Sequence, residues 1–196
     1  MKKYNMKFIS LESERLVYRK FNMDDFLVVN DWLSDPDIMM YRRGEPRSEA
    51  EVRDYLDWAI TNAEADPCSN FEYAITLKEN GNLIGAATFM NVPDYPEIGW
   101  TIHRDYWRQG YGTEMGIAML RLGFETLRIH RIIAGCNAEN QASYKIMERL
   151  GMRREGHFIK AQLGNSALNN KWCERYLYAI LREEWQEIHN QKGTSN

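Results

Sequence analysis

Two glycines flank a tyrosine in YWRQGYGTEM, residues 106–115, just before an apolar pattern of helical period. Gly110 and Gly112 lack Cβ, so this stretch can take left-handed dihedrals and bring its N–H groups close to a ligand. A helix from Thr113 adds amides without intrahelical partners and the positive end of its dipole, which together suit a pyrophosphate. Arg108 adds a cation to the same nest. A plain connecting turn explains two glycines equally well, because a short glycine pattern is weak evidence alone. A Walker A loop needs Lys and Ser or Thr after its second glycine, where this chain has Thr113 and Glu114. A dinucleotide fingerprint needs a third glycine one place before Gly116. Neither ATP hydrolysis nor nicotinamide chemistry is supported.

The elements that must hold this loop alternate in type along the chain. RLVYRKF (15–21) alternates like a strand, and Asp24 and Asp25 open a short helix through FLVVNDWL. Ser48 and Glu51 have capping-box spacing and begin a helix with Val52, Tyr55, Leu56 and Ala59 on one face. FEYAITL (71–77) and LIGAATFMNV (83–92), joined by KENGN, predict a hairpin. EIGWTIH (97–103) is a further strand. After the glycine loop a helix runs from Thr113 to about Leu127, with Met115, Ala118, Met119 and Leu122 as its buried stripe. HRIIAGCN (130–137) is a strand, and QASYKIMERL a helix closed by Gly151. MRREGHF and KWCERYLYAIL predict two strands around a polar loop, KAQLGNSALNN, and REEWQEIHNQK a terminal helix that frays into solvent, its REEW a solvated face.

Bulk properties narrow the partners. A chain of 196 residues with 44% apolar content can bury a core as one α/β domain. The formal charge of −3 offers no global attraction to nucleic acid or anionic membrane. Cys68, Cys136 and Cys173 lack metal-ligand spacing and are odd in number, which fits a reducing cytoplasm better than a disulfide framework. His103, His130 and His157 are scattered, so no metal is expected. No run approaches the roughly 20 apolar residues of a membrane span.

PEIGWTIHRDYWRQGYGTEM followed by IHRIIAGCNAENQASYKIMERLGMRREG resembles the acyl-CoA-binding half of the GNAT superfamily of N-acetyltransferases. It is similar in particular to the RimJ/RimL branch, which acetylates amino groups including those of ribosomal proteins. The resemblance rests on Glu97, Gly99 and Trp100, then on Tyr106, Trp107, Gly110, Tyr111, Gly112, Thr113 and Glu114, and last on Asn140, Ser143, Gly151 and Met152. The segments LESERLVYRKFNMDD and NNKWCERYLYAILREEW extend it over most of the chain. Two departures stand out. Trp107 occupies a place where the superfamily has Gln or Arg, and Met147 one where many relatives carry a tyrosine acid.

The resemblance implies an α/β (α+β) fold in one domain over residues 1–196, with a core at about 8–185 and a polar tail at 186–196. Its sheet would be mixed and mostly antiparallel, of about seven strands flanked by helices, with two strands splayed into an acyl-CoA cleft. Acetyl-CoA would lie against Trp100, Thr101, Ile102 and Asn137 on those strands, Arg108, Gln109, Gly110, Tyr111, Gly112 and Thr113 in the loop, and Asn140 and Ser143 on the next helix. The implied reaction is direct attack by a primary amine, of a protein N-terminus or a small molecule, in a ternary complex. Glu97 is the leading base and Asp94 a weaker one, while Ser143, or alternatively Tyr144, would protonate the leaving thiolate. Each has a plainer reading, Glu97 as an exposed strand-end carboxylate and Ser143 as a hydroxyl bonded within its own turn. A non-catalytic acyl-CoA sensor is the alternative function. Family habit suggests a homodimer.

Overall fold

The structure, a computed structural model, describes residues 7–66, 68, 70–90 and 96–193. Two short strands, β1 (Leu11–Glu12) and β2 (Leu16–Arg19), lead to a 3-10 turn and then to α1 (Phe26–Ser34). Asn22 starts this segment reciprocally: its side chain accepts the Asp24 N–H, and Asp25 accepts the Asn22 N–H. A short helix, α2 (Pro36–Met39), follows with proline in its first turn, where a missing N–H costs nothing. The capping box written by Ser48 and Glu51 then begins α3 (Glu49–Glu64).

β3 (Asn70–Leu77) and β4 (Leu83–Met90) form the expected hairpin, with Gly81 left-handed in the turn. Asn91 and Val92, expected to extend the second strand, lie outside the described residues. β5 (Glu97–Ile102) precedes the glycine loop and α4 (Tyr111–Arg121), which continues as a π-helical turn through Thr126. β6 (Arg131–Asn137), α5 (Gln141–Arg149), β7 (Arg153–Leu163), β8 (Trp172–Leu181) and α6 (Arg182–Gly193) complete the chain.

The eight strands form one sheet in the order β1-β2-β3-β4-β5-β6-β8-β7, antiparallel except between β5 and β6. The strand beyond the expected seven is β1, whose two residues are too few to show a period. Helices cover both faces. The buried side of α4, including Met115 and Met119, packs with α5 residues Met147 and Leu150 on one face. Residues Val29 and Trp32 of α1 and Val52 and Leu56 of α3 pack on the other.

Two expectations need correction. KAQLGNSALNN reads as loop, yet β7 continues through Leu163, because its register shifts between Phe158 and Gln162 and pairing then resumes with Cys173. Lys160 in the shifted stretch has φ +47°, a bulge geometry that residue types do not announce. The REEW segment is not a solvated face: Trp185 is 2% exposed, with its ring 6.0 Å from that of Phe124. None of the described helices is long and apolar enough to cross a membrane.

Candidate active site

β5 and β6 touch at one register pair, Glu97 opposite Ile133, where the Ile133 N–H donates to the Pro96 carbonyl at 3.0 Å. Counting on from that pair, Gly99 is level with Gly135 and Thr101 with Asn137, but no pairing joins them. The strands therefore part toward their C-terminal ends, and a seam opens in the middle of the sheet. Ile98, Trp100 and Ile102 face α4 and α5. The alternation of a strand turns Glu97, Gly99 and Thr101 to the opposite side, toward α1 and α3.

The glycine loop stands at the open end of the seam. Gly110 is the N-terminal cap of α4 with φ +85°, a conformation that a Cβ would strain. Arg108 is also left-handed, at φ +62°. α3 and α5 have side-chain caps from Ser48 and Asn140, but no side chain caps α4, whose Thr113 N–H donates to the Gly110 carbonyl at 3.1 Å. Gly112 has a different task from the one its motif suggests. A Cβ there would lie 2.6 Å from Ile146 Cδ1 and 3.2 Å from Ile102 Cδ1, so its absence lets α4 approach α5 and β5. Trp107, in the place of the family's Gln or Arg, ties the loop to the strand end through Nε1–H donating to the Ile102 carbonyl at 2.7 Å.

A brace that the sequence did not reveal supports this loop from the turn between β1 and β2. Glu114 accepts from the Ser13 hydroxyl at 2.7 Å, the Arg15 N–H at 2.7 Å and Arg15 Nε at 2.8 Å. Burial raises its pKa, but these partners outweigh burial and hold the carboxyl below its ordinary value. Arg15 also donates to the Gln109 carbonyl at 3.0 Å, and its guanidinium sits 4.3 Å over the Tyr111 ring. The acidic side chain in the first turn of α4 is thereby turned to Arg15 and Ser13.

On the far side of the seam Asn140 caps α5 by accepting the Ser143 N–H at 3.0 Å. Burial pushes the Cys136 thiol up to about 11, with smaller opposing effects from Ser143 and Arg175, which makes it an inert apolar group at neutral pH. Tyr144 packs edge-on to Tyr176 at 5.8 Å, and Tyr176 is the β8 partner of Cys136. Met147 is 1% exposed in the core, and Tyr144, next to Ser143 in the chain, is the phenol that stands in that turn of α5. Asn137, 3% exposed, accepts the Glu139 N–H through Oδ1 at 2.9 Å, while its buried Nδ2 has no partner among the described residues. A buried donor left open where two strands part is what an absent ligand carbonyl would satisfy.

The face toward α1 and α3 carries a second polar group. Arg175 reaches across Gly135 from β8 and donates to Glu97 Oε1 at 2.9 Å. Arg42, in the α2–α3 connection, donates to the Thr101 hydroxyl. Glu72 on β3 accepts from the Tyr55 hydroxyl at 2.6 Å. Burial raises its carboxyl to about 7, and Tyr55, Arg42 and Arg47 only partly offset that. Arg42, Glu72 and Arg175 were not singled out in the sequence, and Tyr55 was read there only as part of the apolar face of α3. The one available signal was an acidic residue inside the otherwise apolar FEYAITL. Asp94, the weaker base candidate, lies outside the described residues.

A mixed sheet parted at its one parallel junction, with a helix start lacking a side-chain cap beside the opening, is the arrangement that the resemblance to acyl-CoA-dependent transferases implied. The Acetyltransferase (GNAT) domain model matches residues 15–153. The chain is 33% identical to the uncharacterized N-acetyltransferase YnaD of Bacillus subtilis, over 89% of this chain and 98% of that protein. It is 26% identical to the [ribosomal protein uS5]-alanine N-acetyltransferase of Escherichia coli, over 60% of each. Among solved structures it resembles a GNAT-family acetyltransferase of Bacillus anthracis with TM-score 0.79 and 34% identity, covering 89% of this chain and 99% of the other. The fold is also that of spermidine N-acetyltransferase from Vibrio cholerae, crystallised with CoA and spermine, at TM-score 0.75 and 18% identity over 89% and 99% of the two chains. The protein belongs to the GNAT family and is an N-acetyltransferase.

Proposed function

We propose that the protein transfers acetyl from acetyl-CoA to a primary amine by direct attack in a ternary complex. The observation that carries this reading is the seam between β5 and β6, joined only at Glu97 and Ile133 and flanked by the uncapped start of α4. The residues present fit the co-substrate. The first amides of α4, with Gly110 and Thr113 beside them and exposed Arg108 and Gln109 next to them, suit a pyrophosphate. The open Nδ2 of Asn137 and the stretch Trp100–Ile102, paired with β4 but not with β6, suit an amide-bearing arm. Bound there, acetyl-CoA supplies an activated acyl group.

The chain's own residues then divide the proton work. Glu97, held by Arg175 through one oxygen, takes the proton of the acceptor amine directly or through water. A proton must leave because an α-amine has a pKa of about 7.7–8.0 and a lysine amine about 10.4. Backbone N–H groups along the seam stabilise developing negative charge without reorganising. Ser143 protonates the leaving thiolate, with Tyr144 as the second donor. The three cysteines are free, in keeping with a cytoplasmic enzyme. Phe158, Ile159 and Leu163 stand exposed on edge strand β7, which supports a homodimer.

Calorimetry with acetyl-CoA, followed by thiol release across a panel of amines, tests the reading. Binding with amine-dependent release is expected. Absence of binding would overturn it, as would unchanged binding in Gly110→Val. Tight binding without turnover on any amine would favour the acyl-CoA sensor.

A further inference from the structure

The face of the seam turned toward α1 and α3 carries two guanidinium groups that pair with no carboxylate among the described residues, those of Arg42 and Arg47. Glu97 is already paired with Arg175. Arg42 and Arg47 form no ion pair among the described residues, and the nearby Glu72 is buried and bonded to Tyr55. Arg47 sits over the Tyr55 ring at 5.0 Å, and Arg42 rests on Thr101. A guanidinium has five N–H donors, of which the Thr101 hydroxyl takes one.

Nor is Arg42 a loose surface side chain that happens to fall there. The connection carrying it is pinned from the β7–β8 loop, where Asn165 Nδ2 donates to the Met39 carbonyl at 2.9 Å and the Gly44 carbonyl at 3.1 Å. Glu45 accepts the Ser166 N–H at 2.9 Å, which removes the one carboxylate of that segment from Arg42. The Arg47 N–H donates to the Leu33 carbonyl at 2.8 Å. An exposed arginine is thus aimed at a buried hydroxyl on the strand that borders the seam.

We infer that the acceptor is an amine that also bears a carboxylate, with the amine beside Glu97 and Gly99 and the carboxylate on Arg42 at Thr101. This rests on the transferase reading above. A dicationic polyamine would meet Arg42 and Arg47 with like charge, whereas a carboxylate would take the fork of Arg42 in a charge-assisted pair. Gly99 and Thr101 are two residues apart, about 6.6 Å along the strand. That spacing fits an ω-amino acid better than a compact α-amino acid.

The test compares kcat/KM for ω-aminobutyrate and ω-aminohexanoate with their carboxamides, and adds spermidine and an alanyl peptide amide. Each acid is expected to exceed its amide by about tenfold or more in the wild type. In Arg42→Gln the acid-to-amide ratio should fall to near one, through KM for the acceptor, while Arg42→Lys restores part of it. Thermal melting and acetyl-CoA binding check that both variants are folded. Equal use of acid and amide, or preference for spermidine or the peptide, would overturn the inference and leave the transferase reading standing. An unchanged ratio in Arg42→Gln would do the same. No transfer to any amine would overturn both.

Discussion

Glu97 shows how one side chain depends on distant ones. It begins β5, but its carboxylate is oriented by Arg175, which follows it by 78 positions in the chain. Glu97→Gln keeps the shape and removes the proton acceptor, so kcat should drop about 10²-fold or more while KM for acetyl-CoA changes little. Ser143→Ala should also lower kcat more than it raises that KM. Steady-state kinetics on both variants decide the matter, and wild-type turnover would dismiss the assigned base and acid. Glu72 gives a second prediction, in stability. Folding raises its carboxyl from 4.5 to about 7, so the folded state holds this proton more tightly than the unfolded chain. Its contribution is complete below pH 4.5 and is lost as pH rises through 7. Glu72→Gln, which can still accept from Tyr55, should melt close to wild type at acid pH and several degrees higher at mildly alkaline pH, a gain of at most about 3 kcal/mol. A Tm difference independent of pH would contradict this. Glu97, Asn140 and Ser143 were legible in the sequence because they sit in local motifs. Glu72, Arg42 and Arg175 were not, since their meeting depends on strand register and a loop clamp that no local spacing encodes.

At the scale of elements, the two motif glycines divide their labour. A Cβ at Gly110 would make only ordinary contact with Arg15, at 3.5 Å, but at a positive φ, whereas Gly112 sits in a contact between α4, α5 and β5. Gly110→Asn should be tolerated better than Gly110→Val, because asparagine visits the left-handed region at lower cost. Gly112→Val should instead lower stability by about 1–3 kcal/mol through overpacking against Ile146. Denaturant midpoints separate the two effects. The Arg15 brace predicts a third: Arg15→Ala should raise KM for acetyl-CoA severalfold with little change in kcat, since it supports the loop from behind. Capping residues and the hairpin turn made α3, α5 and the β3–β4 pair readable from residue types. The length of β7 and the burial of Trp185 were not readable, because a bulge and a long-range ring contact decide them.

For the whole molecule, the sheet consists of an antiparallel run from β1 to β5 and a second from β6 through β8 to β7, held together across the middle at a single rung. Alternation of strands and helices made the class of fold legible, and the family motifs indicated which strands would part. The acceptor side was largely illegible, since it is assembled from the α2–α3 connection, β3 and β8 together. Should β7 form the dimer contact, replacing Ile159 with lysine would shift sedimentation toward the monomer while leaving turnover in place.

That single rung also bears on how the enzyme responds to its donor. An acyl carrier lodged between the two runs of strands would stitch them into a continuous fabric, so loading should tighten the middle of the protein as well as fill it. Saturation at about 100 times Kd would then add roughly 2.7 kcal/mol to the resistance to unfolding. Deuterium uptake by the backbone at 99–102 and 135–137 should slow sharply when coenzyme A is present, while the hairpin of β3 and β4 is scarcely affected.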